Sequence, residues 1–369
     1  MLAINTQRNV GKGTFVRETE TDDKSFGVNK AKSAARKFGT VLTNATETVG
    51  GKQKEKMTFK PRKKFATMSN NIIAATSAYS TTETISTTFS SLNLDSDRPA
   101  DVDMVDRLKP EYVTDYVVDI FNNFKKRETE GCARPNYMSK QTQITPKMRA
   151  VLIDWLVDVH LKFKLMPETL FLTVNLIDRF LQAKIVERQK LQLVGVTCML
   201  IASKYEEIYF PEIRDFVYIT NNAYSRRQIL KMEEVVLNVL RFDLTVPTIN
   251  CFVKRFIKAA NLDSCSKLTP MASYLAERML QEYDMLAFRP SIIAATAVSM
   301  ALSFLRQKPW HSTLTRYTGY TAADLTKCQA KMNEILRASK THKAVAKKYA
   351  SSKYERVSML VQDRLQAKA

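Results

Sequence analysis

The sequence predicts an all-α fold, two small helical domains in tandem behind a disordered N-terminal arm. Three observations carry this. From Thr145 onward apolar residues recur at three-and-four spacing, strand-like alternation is almost absent, and two helices rich in small residues recur at a distance of roughly one hundred residues. The two are residues 193–207 (LVGVTCMLIASKYEE) and 290–304 (PSIIAATAVSMALSF). Gly, Ala, Ser and Cys let neighbouring helices approach closely, so each is expected to be the third and central helix of a set of about five.

Residues 1–100 read as the arm, combining Ser/Thr/Asn-rich low complexity with scattered Lys and Arg. Within it, Lys60, Pro61, Arg62, Lys63 and Lys64 suit a nuclear import signal, or a plain basic patch. Order is expected near Pro110, with the amphipathic set Tyr116, Val117, Ile120, Phe121 and Phe124. The next helix is greasy nearly all round. Met148, Val151, Leu152, Trp155, Leu156 and Val159 share one face, while Ile153, Val157 and Leu161 form a second. Ser225 with Gln228 reads as a capping box, Thr269 with Pro270 as an N-cap and first-turn proline, and Thr321 with Asp324 as another cap. Residues 241–247 (RFDLTVP) are the expected linker, giving a first domain over 106–246, a second over 247–350, and a tail over 351–369.

A chain of 369 residues has room for two cores. Its formal charge of +20 points to nuclear residence, anionic partners or both, with basic ends carrying much of the charge as solvated tails. The five cysteines form no CxxC pair, which argues for a reducing compartment and against a disulfide framework or a zinc site. Cys198, Cys251 and Cys328 fall in helical patterns, as small core hydrophobes. The first residues lack the apolar core of a secretory signal. The best membrane-span candidate, residues 291–305, is bounded by Arg289 and Arg306 and is shorter than the ~20 residues a span needs. A soluble intracellular chain with no membrane contact is expected.

Two charges stand out. Lys204 shares a stripe with Leu193, Val196, Leu200 and Ile208, and Glu233 lies on the apolar face of Ile229, Met232, Val236 and Leu240. An unpaired buried charge is costly, so either the two residues pair with each other or they face a binding surface.

The segments DIFNNFKKRE at Asp119, MRAVLIDWLVDVH at Met148, LTVNLIDRFL at Leu172, LQLVGVTCMLIASKYEE at Leu191 and YASSKYERVS at Tyr349 together resemble the signatures of B-type (G2/mitotic) cyclins, in the same order, over about two-thirds of the chain. The resemblance implies two tandem five-helix cyclin-box folds, the first binding and activating a cyclin-dependent protein kinase to control G2/M progression. It implies a kinase-binding set of Tyr116, Ile120, Ile201, Lys204, Tyr205, Glu233, Leu237, Phe242 and Leu244. It implies also a groove for Arg-x-Leu motifs of substrates or inhibitors, made by Met148, Val151, Leu152, Trp155, Leu191 and Gln192, with Asp158 facing the basic residue. Val151 stands where isoleucine is usual, and Asp158 is shorter than the common acid or amide. Arg149, between groove residues, is implied to pair with Asp178 as a buried structural ion pair.

An N-terminal destruction motif for ubiquitin-ligase machinery is implied too, although the nearest match, residues 36–44 (RKFGTVLTN), has Gly39 where leucine belongs, and Lys54, Glu55, Lys56 lacks the Asn of a KEN signal. Residence in nucleus and cytoplasm follows from the same resemblance. The chain is expected to be no enzyme: GKGTFV at Gly11 has no preceding strand, and neither H-R-D nor D-F-G occurs. No cofactor or metal is expected, since His160, His311 and His342 lack ligand spacing. The alternative is a cyclin-fold transcription factor that grips nucleic acid, which would need basic stripes across the repeats themselves. It gives no reason for Lys204 and Glu233 and is the weaker expectation.

Overall fold

The computed structural model describes residues 99–260, 265–338 and 343–367. The basic cluster at 60–64, the segments at 36–44 and 54–56, the glycine-rich GKGTFV and His342 lie outside the described residues. Among the described residues all regular structure is helical, with no strand. A lead helix α1 (Val117–Arg127) precedes the first repeat, α2 (Pro146–Phe163), α3 (Pro167–Ala183), α4 (Leu191–Glu206), α5 (Ile213–Ile219) and α6 (Arg226–Val239). The second repeat is α7 (Ile249–Ala260), α8 (Leu268–Leu280), α9 (Pro290–Phe304), α10 (Ser312–Thr318) and α11 (Ala322–Ala338), followed by α12 (Ala344–Tyr349) and α13 (Val357–Gln366). The all-α pair of five-helix folds expected from the sequence is the architecture observed.

Each repeat is built round its third helix. In α4 every residue from Leu191 to Ser203 is buried, and in α9 every residue from Ile293 to Leu302. Small residues make this feasible. A Cβ on Gly195 would sit 2.7 Å from Leu152 Cδ1, so only glycine lets α2 lie this close to α4. The apolar α2 is accordingly buried along most of its length, with Val151, Asp154 and Asp158 half-buried on one side.

Local signals set the helix starts. Thr145 Oγ1 accepts the Met148 amide at 3.3 Å with Pro146 at the first helical position. Ser225 and Gln228 exchange reciprocal bonds of 2.8 and 3.3 Å. The Thr321 amide and hydroxyl each donate to Asp324 at 2.7 Å. Thr269 does not cap α8: the helix already begins at Leu268, after Lys267, with Pro270 still in the first turn where its missing N–H is harmless. Residues 351–367 carry α13, whose Val357 and Val361 are buried against the second repeat.

From Ala100 to Glu128 the chain is tied to the second repeat. Ala100 and Val102 amides donate to Thr313 Oγ1 and the Tyr317 hydroxyl, each at 3.1 Å. Asp103 accepts from both terminal nitrogens of Arg255 at 2.5 and 2.6 Å and from Lys258 at 2.9 Å. Those bonds, Arg255's first, outweigh burial and hold the Asp103 carboxyl at about 2. Phe121 and Phe124 of α1 meet Phe252 of α7 edge-on. Glu128 then accepts the Ser291 amide and hydroxyl at 2.9 and 2.8 Å, at the positive end of α9.

The joint between repeats centres on Arg149. Its Nε and Nη2 donate to the two Asp178 oxygens at 2.6 Å each, while Nη1 donates to the carbonyls of Leu280 and Gln281 at 3.0 and 3.4 Å. The Tyr137 hydroxyl donates to Asp178 Oδ1 at 2.7 Å. Burial opposes the Arg149 charge, but Asp178 prevails and holds the guanidinium above its ordinary value. Beside it, Asp154 accepts from Gln281 Nε2 at 2.8 Å and from the Ala344 amide at 2.9 Å.

Asp178→Ala strands this buried cation and is expected to cost about 3–5 kcal/mol in urea unfolding, with Arg149→Met/Asp178→Leu recovering much of the loss. Asp103 tests the strap. Because its folded pKa is depressed from 3.8 to about 2, its contribution is present above the unfolded value and is lost as pH falls through the folded one. Asp103→Asn is therefore expected to melt below the parent near neutral pH, the gap closing toward pH 2 in a thermal-unfolding series.

Candidate functional site

Lys204 lies in the last turn of α4 and Glu233 midway along α6, which packs on α4. Lys204 Nζ donates to Glu233 Oε1 at 2.7 Å, with side chains 37% and 12% exposed. The sequence left two options for this pair, and the geometry combines them: the residues pair, and the ammonium remains open to solvent. So exposed a pair is worth about 1 kcal/mol at most, too little to explain a charge among Ile229, Val236 and half-buried Met232.

Apolar side chains surround the pair without being covered. Tyr205, next to Lys204, is exposed, its hydroxyl 2.6 Å from Thr245 Oγ1 on the linker. Phe242 is 65% exposed. It and Arg241 hold left-handed backbone, φ 57° and 53°, a conformation that costs a non-glycine residue roughly 1–2 kcal/mol. The bend is fixed from behind: Arg179 donates to the carbonyl and carboxylate of Asp243 at 2.8 and 3.2 Å, and Arg127 of α1 comes within 3.5 Å of the same carboxylate. An exposed aromatic on a strained, pinned bend is what a contact surface needs.

Leu237 and Leu244 are half-buried. Tyr116, exposed, precedes α1, and Ile120 lies half-buried one turn on; the far end of the same helix reaches the linker through Arg127. Ile201 differs. It is buried inside α4 and offers almost no surface. Ile208, grouped by the sequence with the α4 stripe, lies beyond the helix end at Glu206; together with Tyr209 it is 87% exposed, and Phe210 follows, also exposed. This apolar triplet ahead of Pro211 escaped the sequence reading, although three large apolar residues between a helix end and a proline were its signal.

The second candidate surface divides into a buried floor and a half-buried rim. Leu152, Trp155, Leu191 and Gln192 are buried, whereas Met148, Val151 and Asp158 are half-buried along the rim. Leu152 is packed against Gly195 of α4. The tryptophan belongs mostly to the core here, as its place in an apolar row allows.

Among the described residues no group of His, Cys, Asp and Glu could hold a metal, and no helix is long and apolar enough to cross a membrane. Burial pushes the Cys132 and Cys251 thiols up to about 12, which leaves them poor nucleophiles.

Against this geometry, the family model described as cyclin, N-terminal domain, matches residues 119–245, and the cyclin, C-terminal domain model matches residues 247–363. The rice protein Cyclin-B2-1 is 44% identical over 257 residues, covering 69% of this chain and 61% of its own length. The G2/mitotic-specific cyclin-B of the clam Spisula solidissima is 46% identical over 261 residues, covering 70% of this chain and 60% of its own. The chain thus spans about three-fifths of the length of these relatives. The crystal structure of a viral cyclin from herpesvirus saimiri superposes with a TM-score of 0.55 at 21% identity, over 59% of this chain and 97% of that one, a likeness of fold.

Proposed function

The chain belongs to the cyclin family, and from that premise we propose that it is the regulatory subunit of a cyclin-dependent protein kinase, binding and activating it to control passage from G2 into mitosis. The observation that carries this reading is the open Lys204–Glu233 pair, flanked by uncovered Tyr205 and Phe242. Its similarity to G2/mitotic-specific cyclins of plants and animals supports the stage.

The mechanism is a population shift. The kinase exchanges between an inactive and an active arrangement, and a partner that binds the active one more tightly moves the balance toward it. Docking on this surface presses the mobile kinase helix inward, so that its glutamate meets the ATP-binding lysine and the activation loop reorders. The chain itself supplies no chemistry. Lys204 and Glu233 leave each other in part to bond main-chain groups of the kinase, while Tyr116, Ile120, Tyr205, Leu237, Phe242 and Leu244 give the apolar contacts. A stable interface of this kind buries on the order of 2,000 Å².

The rim of Met148, Val151 and Asp158 over Trp155 is the proposed dock for Arg-x-Leu motifs, with Asp158 meeting the arginine. Residence in nucleus and cytoplasm, and turnover by ubiquitin-ligase machinery, complete the reading. They are supported by the basic cluster at 60–64 and the partial motif at 36–44.

Two experiments test it. Mixed with an inactive cyclin-dependent kinase, the wild-type chain is expected to switch on phosphorylation and Lys204→Glu to fail, with about 2–5 kcal/mol of binding lost in calorimetry. Unchanged affinity and activity would remove Lys204 from the site. Met148→Ser is expected to lower kcat/KM for peptides carrying Arg-x-Leu while leaving motif-free peptides alone; equal effects on both would rule the rim out.

A further inference from the structure

The strap at the start of the described chain runs inside out. Val102, Asp103 and Asp106 are buried, whereas Met104, Val105 and Leu108 are 67%, 79% and 97% exposed. Cations turn the aspartates inward: Asp103 is held by Arg255 and Lys258, and Asp106 by Lys258 at 2.8 Å. With both acids tied to α7, the helical turn Met104–Asp106 between them is fixed, and its apolar side chains face water. Buried acids beside open Met, Val and Leu reverse the usual order, and a fixed apolar ridge of this kind marks an interaction surface. Arg107 and Lys109 flank the ridge. Each makes an exposed ion pair, with Asp101 and Asp106, and such pairs are weak enough to admit a further carboxylate.

We propose that the ridge is the dock for residues 85–94 of the same chain (ISTTFSSLNL), which lie just ahead of the described residues. Three observations select this occupant. Ile85, Phe89 and Leu92 recur at four-and-three spacing, the pattern of a single apolar face able to meet Met104, Val105 and Leu108. Leu94 stands five residues before Pro99, where the described chain begins, and the Ala100 and Val102 amides are anchored on α10. The segment is therefore delivered beside the ridge on a short tether, at an effective concentration on the order of millimolar. Charge agrees. Residues 65–97 carry Glu83, Asp95 and Asp97 but no Lys or Arg, and so complement Arg107 and Lys109. A second copy is the poorer occupant, because two chains of formal charge +20 repel each other. Docking covers the ridge and holds the end of the arm against the second repeat. It requires nothing of the kinase-binding surface proposed above.

The test is photo-cross-linking in the full chain, with p-benzoylphenylalanine replacing Phe89. Peptide mapping of the irradiated monomer is expected to place the adduct on residues 104–108, at a yield independent of protein concentration. Val105→Asp/Leu108→Asp alters only exposed positions, which spares the fold, and is expected to cut that yield about tenfold by setting charges against an apolar face. Arg107→Glu is expected to lower the yield at low salt and to matter little at high salt. An adduct elsewhere, or one undiminished in Val105→Asp/Leu108→Asp, overturns the proposal. Cross-linked dimers whose yield rises with concentration give the ridge to a second copy and overturn it too. No adduct at the ridge, with a cyclin-dependent kinase bound more weakly by Val105→Asp/Leu108→Asp, gives the ridge to the kinase and overturns the proposal equally.

Discussion

The bidentate Arg149–Asp178 pair, with two carbonyls of the second repeat completing the guanidinium, is the constraint on which the arrangement of the molecule depends. Each repeat closes its own apolar core around α4 or α9, and apolar packing alone is tolerant of small slides. A buried guanidinium is not. With Nε and Nη2 committed to Asp178 on α3, Nη1 can be met only if the end of α8 arrives at one place, and it arrives with its negative dipole end first. Tyr137 and Asp154 lock the same joint from either side. Replacing such a cluster by hydrocarbon need not lower stability, so geometry is its better justification.

From that joint follows the shape of the candidate surface, which no single repeat owns. Lys204 and Glu233 come from the first repeat. Ile120 comes from α1 and Tyr116 stands just before it; this helix precedes the first repeat but is held by Phe252 and Ser291 of the second. Phe242 and Leu244 come from the linker, clamped through Asp243 by arginines of α1 and α3. The strap through Asp103 adds a further tie between the start of the described chain and α7. A partner reading all these residues at once therefore reads the relative placement of the repeats, and anything that loosens the joint or the strap blurs that surface without touching it.

What was legible in the sequence was what depends on neighbours along the chain. Spacing gave the buried faces of α2, small residues gave α4 and α9 as central helices, and local side-chain pairs gave the starts at Ser225 and Thr321. The misplaced start at Thr269 has a local cause too, since a first-turn proline fixes a helix beginning only to within a residue. Lys204 and Glu233 were visible because a charge on an apolar stripe is an anomaly wherever its partner lies. Asp103 with Arg255, 152 residues apart, and Glu277 with Lys348, 71 apart, were invisible, for periodicity carries no record of which distant charge a folded chain brings near. The depth of Trp155 was hidden for the related reason that an apolar row does not say how much of it a neighbouring helix covers.

The distribution of satisfied and unsatisfied groups separates scaffold from surface. Far from the linker, Glu277 is wholly buried and fully met, by Lys348 Nζ at 2.7 and 2.8 Å and by the Tyr349 hydroxyl at 2.8 Å. Arg149, Asp178 and Glu128 are met as completely. A fold able to complete a three-way network around a carboxylate 71 residues from its lysine had the means to satisfy one buried amide on α7. Instead Asn250 Nδ2 stays unmet, Arg241 and Phe242 stay strained, and Tyr205, Ile208 and Tyr209 stay uncovered. Left-handed backbone and unmet polar atoms also occur elsewhere, at Lys164 and Glu355 and at His160 Nδ1 and Thr197 Oγ1. Along this seam, however, they lie beside exposed aromatic side chains, the combination expected of a contact region. In the regulatory role proposed above, a kinase lying across the seam is what would turn these costs into affinity.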